Sequence, residues 1–151
     1  MSGTEVSSKR LSVVIAVYNS EAVVGAMLDR TLAMLDSLEG GGEIVLVNDG
    51  STDGSWEVLR RRAAEDERVI AVDLNHNVGQ HQALMIGLGY SRGEYAATLD
   101  DDLQNPPGEV EHLLRAAEAG HDLVFGRFRV KRHGRLRIVG SNAVVRPRSQ
   151  R

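Results

Sequence analysis

With 151 residues, the chain is long enough for one domain with a hydrophobic core. It has no cysteine, which excludes disulfide bonds and thiolate metal sites, and no run of about 18 apolar residues that would cross a bilayer. The formal net charge is −3, but residues 127–151 hold nine of the 18 Lys and Arg residues and no Asp or Glu. Because the first nine residues are polar and lack an apolar signal core, we expect a cytoplasmic location.

Strands and helices alternate along residues 11–126. Residues 11–17 (LSVVIAV) form a nearly continuous β-branched run, which is typical of a strand buried in a parallel sheet. Apolar residues then recur at helical spacing from 24 to 38, and the three glycines at 40–42 predict the end of that helix. The pattern predicts further strands at 43–47, 68–74, 94–99 and 121–126, and helices at 55–65, 79–91 and from Pro106 onward.

This alternation predicts one α/β domain over residues 11–126, with a mainly parallel sheet and helices on both faces. Residues 1–10 are predicted to form a polar N-terminal tail and residues 127–151 a basic C-terminal tail. Ligands of such sheets bind beyond the carboxyl ends of the strands. Polar side chains follow four strands at that edge, at residues 18–19, 48–50, 75–80 and 100–104.

Three consecutive aspartates, Asp100, Asp101 and Asp102, are the most informative polar group. Adjacent carboxylates repel one another, and a divalent cation compensates for that repulsion. Oxygen ligands suit Mg²⁺ or Mn²⁺, which also bridge to substrate phosphates. The alternative is a solvated acidic turn that caps the next helix.

The turns at 48–55 and 75–82 are the other polar segments at the carboxyl edge. Gly50 and Gly54 permit unusual backbone angles in the first turn. Asp49 ends its strand there, where a carboxylate is placed to accept hydrogen bonds from ribose hydroxyls or a base N–H. Turn chemistry with helix capping explains the same residues equally well.

Four motifs in order resemble those of a known family. They are 13–19 (VVIAVYN), 47–55 (VNDGSTDGS), 77–84 (NVGQHQAL) followed by 92–94 (RGE), and 99–107 (LDDDLQNPP). Their order resembles that of the inverting glycosyltransferases of family 2, which have the Rossmann-like GT-A fold. The form DLQNPP narrows the resemblance to polyprenyl-phosphate glycosyltransferases, the group of dolichyl-phosphate mannose synthase and undecaprenyl-phosphate aminoarabinose transferase. The resemblance covers about residues 11–126.

The resemblance implies an enzyme that moves a sugar from a UDP- or GDP-sugar to an acceptor, expected to be a polyprenyl phosphate. It implies Asp102 and Gln104 as ligands of Mg²⁺ or Mn²⁺ in a DXD-type motif, and Asp100 and Asp102 as catalytic residues. Two positions depart from the family pattern, with Ala16 where proline is usual and Asn48 where aspartate is frequent. The residues implied to bind the nucleotide-sugar are Ala16, Tyr18, Asn19, Asp49, Asn77, Gly79, Asp100 and Asp101.

Two other enzyme classes fit the sequence less well. A dinucleotide-binding dehydrogenase would place G-x-G-x-x-G after the first strand, and that motif is missing. A nucleotidyltransferase would place a glycine-rich, basic loop there, whereas residues 18–21 are YNSE. The remaining alternative is a non-catalytic or partner-dependent nucleotide-sugar-binding fragment, because most of the family's acceptor half is expected to be missing from this chain.

The basic composition of residues 127–151 predicts the kind of partner that this part of the chain contacts. They are expected to contact phosphates or an anionic membrane surface, which would place the chain at the cytoplasmic face of the membrane. The alternative is a solvated, disordered end. We expect no nucleic-acid partner, and we expect the chain to form homo- or hetero-oligomers.

Overall fold

The computed structural model describes residues 10–101, 107–132 and 135–146, so the predicted metal ligands Asp102 and Gln104 lie outside the described residues. Strands and helices alternate as the sequence predicts up to the fifth strand, which a sixth strand follows directly. The elements are β1 (Leu11–Val17), α1 (Glu21–Ser37), β2 (Gly42–Asn48), α2 (Ser55–Glu65), β3 (Val69–Asp73), α3 (Gln80–Tyr90), β4 (Tyr95–Leu99), α4 (Gly108–Glu118), β5 (Leu123–Arg132) and β6 (Arg135–Val145).

Within the described residues, one sheet contains six strands in the order β3-β2-β1-β4-β6-β5. β1 pairs in parallel with both β2 and β4, and β2 pairs in parallel with β3. The strands that follow β1 along the chain therefore first extend the sheet on one side, and β4 then starts on the other side. A reversal of this kind opens a crevice at the carboxyl ends of the two central strands.

β1 is buried on both faces of the sheet, since successive side chains of a strand point to opposite sides. Its odd-numbered residues from Leu11 to Val17 pack in one apolar cluster with α1, α2 and α4. Val14 and Ala16 pack in a second cluster with α3. Helices therefore cover both faces, as predicted, and the fully buried β1 is the centre of the fold.

The chain beyond Gly126 differs from the sequence-based prediction. The predicted domain boundary at residue 126 falls inside β5, which continues to Arg132. β6 was not predicted, and it pairs antiparallel with both β4 and β5. The alternative prediction of a solvated, disordered end is therefore wrong for residues 127–132 and 135–146. The basic composition of this segment gave no indication of β6, in which Val144 is fully buried in the core.

A buried carboxylate joins the amino ends of three strands. Glu43 in β2 is fully buried, and it accepts hydrogen bonds from the Ser12 hydroxyl and the Arg92 backbone N–H, both at 2.8 Å. The Arg92 guanidinium approaches it to 3.3 Å. The Gly93 N–H donates to Ser12 Oγ at 2.8 Å, and a Cβ on Gly93 would lie 2.6 Å from the Ser12 nitrogen. This cluster fixes the chain just before β4 against β1.

Candidate functional site

A pocket of about 420 Å³ lies where the sheet order reverses, at the carboxyl ends of β1, β2 and β4. Loops after four strands reach it, because the parallel strands end at the same edge of the sheet. The lining residues are Ala16, Val17, Tyr18, Asp49, Asn77, Gly79, Gln80, Asp100 and Asp101.

The structure brings together seven of the eight residues expected to bind a nucleotide-sugar, and Asn19 is the exception. Asn19 instead fastens the loop after β1 to the loop after β2. Its backbone has a φ of 49°, its side-chain oxygen accepts the Thr52 N–H at 2.8 Å, and its own N–H donates to Ser51 Oγ at 3.0 Å. Asn19 therefore connects the two loops that contribute Tyr18 and Asp49 to the pocket.

Asp49 shows why the β2 and β3 loops stay together. Its side chain is 2% exposed, and its two carboxylate oxygens accept the backbone N–H groups of Val78 at 2.7 Å and Gly79 at 3.1 Å. The Asn77 side chain donates to the Asp49 carbonyl at 3.1 Å. The turn chemistry considered from the sequence is thus present, and the same carboxylate also lines the pocket.

Asp100 and Asp101, which follow β4, form hydrogen bonds to two different parts of the chain at the pocket. The Gln80 side chain, at the start of α3, donates to Asp100 Oδ1 at 2.9 Å. Asp101 Oδ2 accepts the Tyr18 N–H at 3.3 Å and the Ser20 hydroxyl. These bonds orient two carboxylates of the aspartate triplet at the pocket, although the triplet follows a single strand.

Gln80 lines the pocket and lies within the third motif, residues 77–84, but it is not among the residues predicted to bind the nucleotide-sugar. The position of Gln80 in the sequence indicates a pocket residue, because it is the first residue of the helix that follows Gly79. Gly79 has a φ of 95°. A helix start directed at the carboxyl edge of a sheet places its first side chain beside the ligand crevice. Which atom it bonds, however, depends on how close α3 lies to β4.

The oxygen donors at the pocket have the chemistry that Mg²⁺ or Mn²⁺ prefers. In residues 10–101, 107–132 and 135–146, no group of three or more His, Cys, Asp or Glu side chains is arranged to hold a metal ion. Asp100 and Asp101 therefore supply carboxylates of the right type, but a complete set of ligands would need further residues. The predicted ligands Asp102 and Gln104 follow directly in the chain.

Comparison with known proteins assigns the family. A model described as glycosyl transferase family 2 matches residues 12–149, which is most of the chain. The chain belongs to glycosyl transferase family 2. This confirms the family resemblance that the four motifs carry.

Two relatives that the chain resembles have the same name. The undecaprenyl-phosphate 4-deoxy-4-formamido-L-arabinose transferase of Edwardsiella ictaluri is 50% identical over 115 residues, which are 76% of this chain and 35% of that protein. The enzyme of the same name from Proteus mirabilis is 43% identical over 136 residues, which are 89% of this chain and 42% of that protein. The chain thus spans less than half the length of these relatives.

Solved structures support the fold. Glucosyl-3-phosphoglycerate synthase from Mycobacterium tuberculosis, in complex with UDP, matches with a TM-score of 0.66 and 20% identity over 91% of this chain and 57% of that chain. TarS 1-349 from S. aureus matches with a TM-score of 0.61 and 23% identity over 76% of this chain and 34% of that chain. The mannosyltransferase PcManGT from Pyrobaculum calidifontis, in complex with GDP-Man and Mn²⁺, matches with a TM-score of 0.55 and 27% identity. This match covers 62% of this chain and 27% of that chain. The predicted GT-A fold is confirmed.

Among the helices of the described residues, none has both the length and the apolar character required to span a bilayer.

Proposed function

We propose that this chain carries the nucleotide-sugar site of an inverting, metal-dependent glycosyltransferase whose acceptor is a polyprenyl phosphate. The convergence of Asp49, Asp100 and Asp101 on one pocket at the reversal of the sheet is the observation that carries the proposal. Family membership supports the transfer chemistry. The names of the relatives, undecaprenyl-phosphate 4-deoxy-4-formamido-L-arabinose transferases, support the lipid phosphate as acceptor.

In this proposal, the loops after β1 and β2 bind the nucleoside. The Tyr18 side chain is 49% exposed at the pocket, and an exposed aromatic ring provides a surface on which a base stacks. Each carboxylate oxygen of Asp49 already accepts one backbone N–H, and a carboxylate oxygen has capacity for a second donor. Asp49 is therefore placed to accept a ribose hydroxyl or a base N–H without releasing the turn at Val78 and Gly79.

Charge supports the metal requirement. Three carboxylates line the pocket, and no Lys or Arg is among its described lining residues. A sugar diphosphate is itself anionic, so these carboxylates would repel it unless a cation lay between them. We assign Asp102 and Gln104 as the ligands of Mg²⁺ or Mn²⁺, and Asp100 as a further carboxylate of the pocket. When bound, the metal stabilises the departing diphosphate as a Lewis acid.

The remaining catalytic work consists of orientation. The bond from Gln80 holds Asp100 at the wall of the pocket, where its carboxylate contacts the donor sugar in the proposed mechanism. The acceptor oxygen attacks the sugar carbon from the face opposite the diphosphate, which inverts the configuration. A phosphate oxygen is ionised near pH 7, and no side chain of this site therefore has to remove a proton from it.

A glycolipid assay tests this function. The chain is incubated with a UDP- or GDP-sugar, undecaprenyl phosphate and Mn²⁺, and we expect a lipid-linked sugar whose formation stops when EDTA is added. Nucleotide-sugar binding without transfer would instead favour the alternative, a binding fragment that needs a partner. Failure to bind any UDP- or GDP-sugar would contradict both.

Membrane contact is a separate prediction, and it rests on charge. Residues 127–151 contain nine Lys and Arg residues and no acidic residue, and each contributes at most about 1 kcal/mol near an anionic surface. We expect co-sedimentation with liposomes to increase with phosphatidylglycerol content and to decrease with salt, because ions screen the attraction. Replacement of Arg148 and Arg151 by Gln should weaken the binding. Equal binding to neutral and anionic liposomes would refute the prediction.

A further inference from the structure

A second pocket, of about 370 Å³, opens at the same edge of the sheet, beyond the ends of β2 and β3. Asn48 and Asp73, the last residues of these strands, border it together with Trp56 in the first turn of α2. Gly50 also lines it, and a Cβ on Gly50 would lie 2.5 Å from the backbone nitrogen of Asn77, which lines the first pocket. The two pockets are neighbours and share no described lining residue.

Asn48 lines this second pocket and carries a buried acceptor without a partner among the described residues. The residue is 3% exposed, and its Nδ2 donates to Asp73 Oδ1 at 2.7 Å. That bond fixes the orientation of the amide, because the reverse orientation would bring two oxygens together. The Asn48 Oδ1 is buried and has no hydrogen-bond partner among the described residues. A buried acceptor without a partner is unfavourable, and a ligand that donates to it gains stability.

The charges around the pocket favour a cation. Asp53, Glu57 and Asp73 border it, and no Lys or Arg is among its described lining residues. The Asp53 carboxylate accepts the backbone N–H groups of Ser55 at 3.0 Å and Glu21 at 3.2 Å. Burial tends to raise the pKa of Asp53, but hydrogen bonds from Ser55 and Glu21 outweigh it, and the pKa lies below its usual value.

The donor pattern and the aromatic ring select the kind of cation. A protonated primary amine has three N–H donors and no acceptor, which complements the Asn48 oxygen and the neighbouring carboxylates. Trp56 borders the pocket, and aromatic rings attract organic cations. In the described part of the chain, no arrangement of three acidic, His or Cys side chains suits a metal ion. We propose that this pocket binds a small protonated primary amine. This binding site is separate from the proposed sugar transfer and does not depend on it.

Intrinsic fluorescence tests the proposal, because Trp56 is the single tryptophan of the sequence. Titration of the 151-residue chain with n-butylammonium chloride, at pH 7 and constant ionic strength, is expected to give a saturable change in emission. Butan-1-ol, which has the same carbon chain and no charge, is expected to give none. Asp73→Asn keeps an oxygen for the Asn48 amide but removes the charge, and Asn48→Leu removes the buried acceptor. Each is expected to weaken amine binding about ten-fold.

Glu109→Gln is the matched control. Glu109 is an exposed carboxylate in α4, outside the pocket, and its replacement is expected to leave the amine affinity unchanged. Circular dichroism checks that each variant is folded. Asp73 is exposed, so its variant is expected to fold even if Asn48→Leu does not. The proposal is overturned by a non-saturable response, by an equal response to butan-1-ol or MgCl₂, or by an Asp73→Asn affinity equal to that of the unchanged chain.

Discussion

The Asp102→Ala variant is expected to lose Mn²⁺-dependent binding of UDP and GDP, with an affinity at least about ten-fold lower than that of the unchanged chain. The physical reason is the charge at the pocket. The carboxylates of Asp49, Asp100 and Asp101 line it and would repel a diphosphate that has no cation beside it. Calorimetric titrations with UDP and GDP, each in Mn²⁺ and in EDTA, measure the effect.

Asp122→Ala is the matched control for this variant. Asp122 is exposed and directly precedes β5. The pairing of Leu123 with Val145, and of Val145 with Ala96, places this position at the opposite end of the sheet from the pocket. We expect the control to bind as the unchanged chain does. Equal affinity of the unchanged chain in Mn²⁺ and in EDTA would refute the metal assignment.

Replacement of Glu43 by alanine is expected to lower the free energy of unfolding by about 2–4 kcal/mol, which is a large share of the stability of a domain of this size. The change leaves the Arg92 N–H without its 2.8 Å acceptor, removes the partner of the Ser12 hydroxyl and creates a cavity at a fully buried position. The loss is local to the amino ends of β1, β2 and β4. Urea denaturation followed by circular dichroism measures it.

Two further variants separate the effect of the Glu43 contacts from the effect of removing a carboxylate elsewhere on the protein. Glu43→Gln keeps the volume and one acceptor oxygen, so its loss of stability is expected to be smaller than that of Glu43→Ala. Glu109→Ala removes an exposed carboxylate, and a change within about 0.5 kcal/mol is expected. If Glu43→Ala unfolds at the same urea concentration as the unchanged chain, the cluster of Ser12, Glu43 and Arg92 does not stabilise the fold.

The central strands and the helices were predictable because their patterns are local. β1 is a nearly continuous β-branched run, and its seven residues are all buried between two layers of helices. β6 was not predictable in the same way. Its register places Ala143 and Val144 beside Thr98 and Ala97 of β4, about 45 residues earlier in the chain. A short apolar segment within a basic stretch carries no information about that partner.

Sequence alone determined the α/β class, the edge of the sheet at which polar residues collect, and the family, because strand patterns and short motifs are read from neighbouring residues. Only the tertiary structure decided which polar residues meet. It directed Asp49 to the backbone of Val78 and Gly79, Gln80 to Asp100, and Asn19 away from the pocket to the loop after β2. The unpaired oxygen of Asn48 also appeared only there, because its burial depends on the packing of β2, β3 and α2 together.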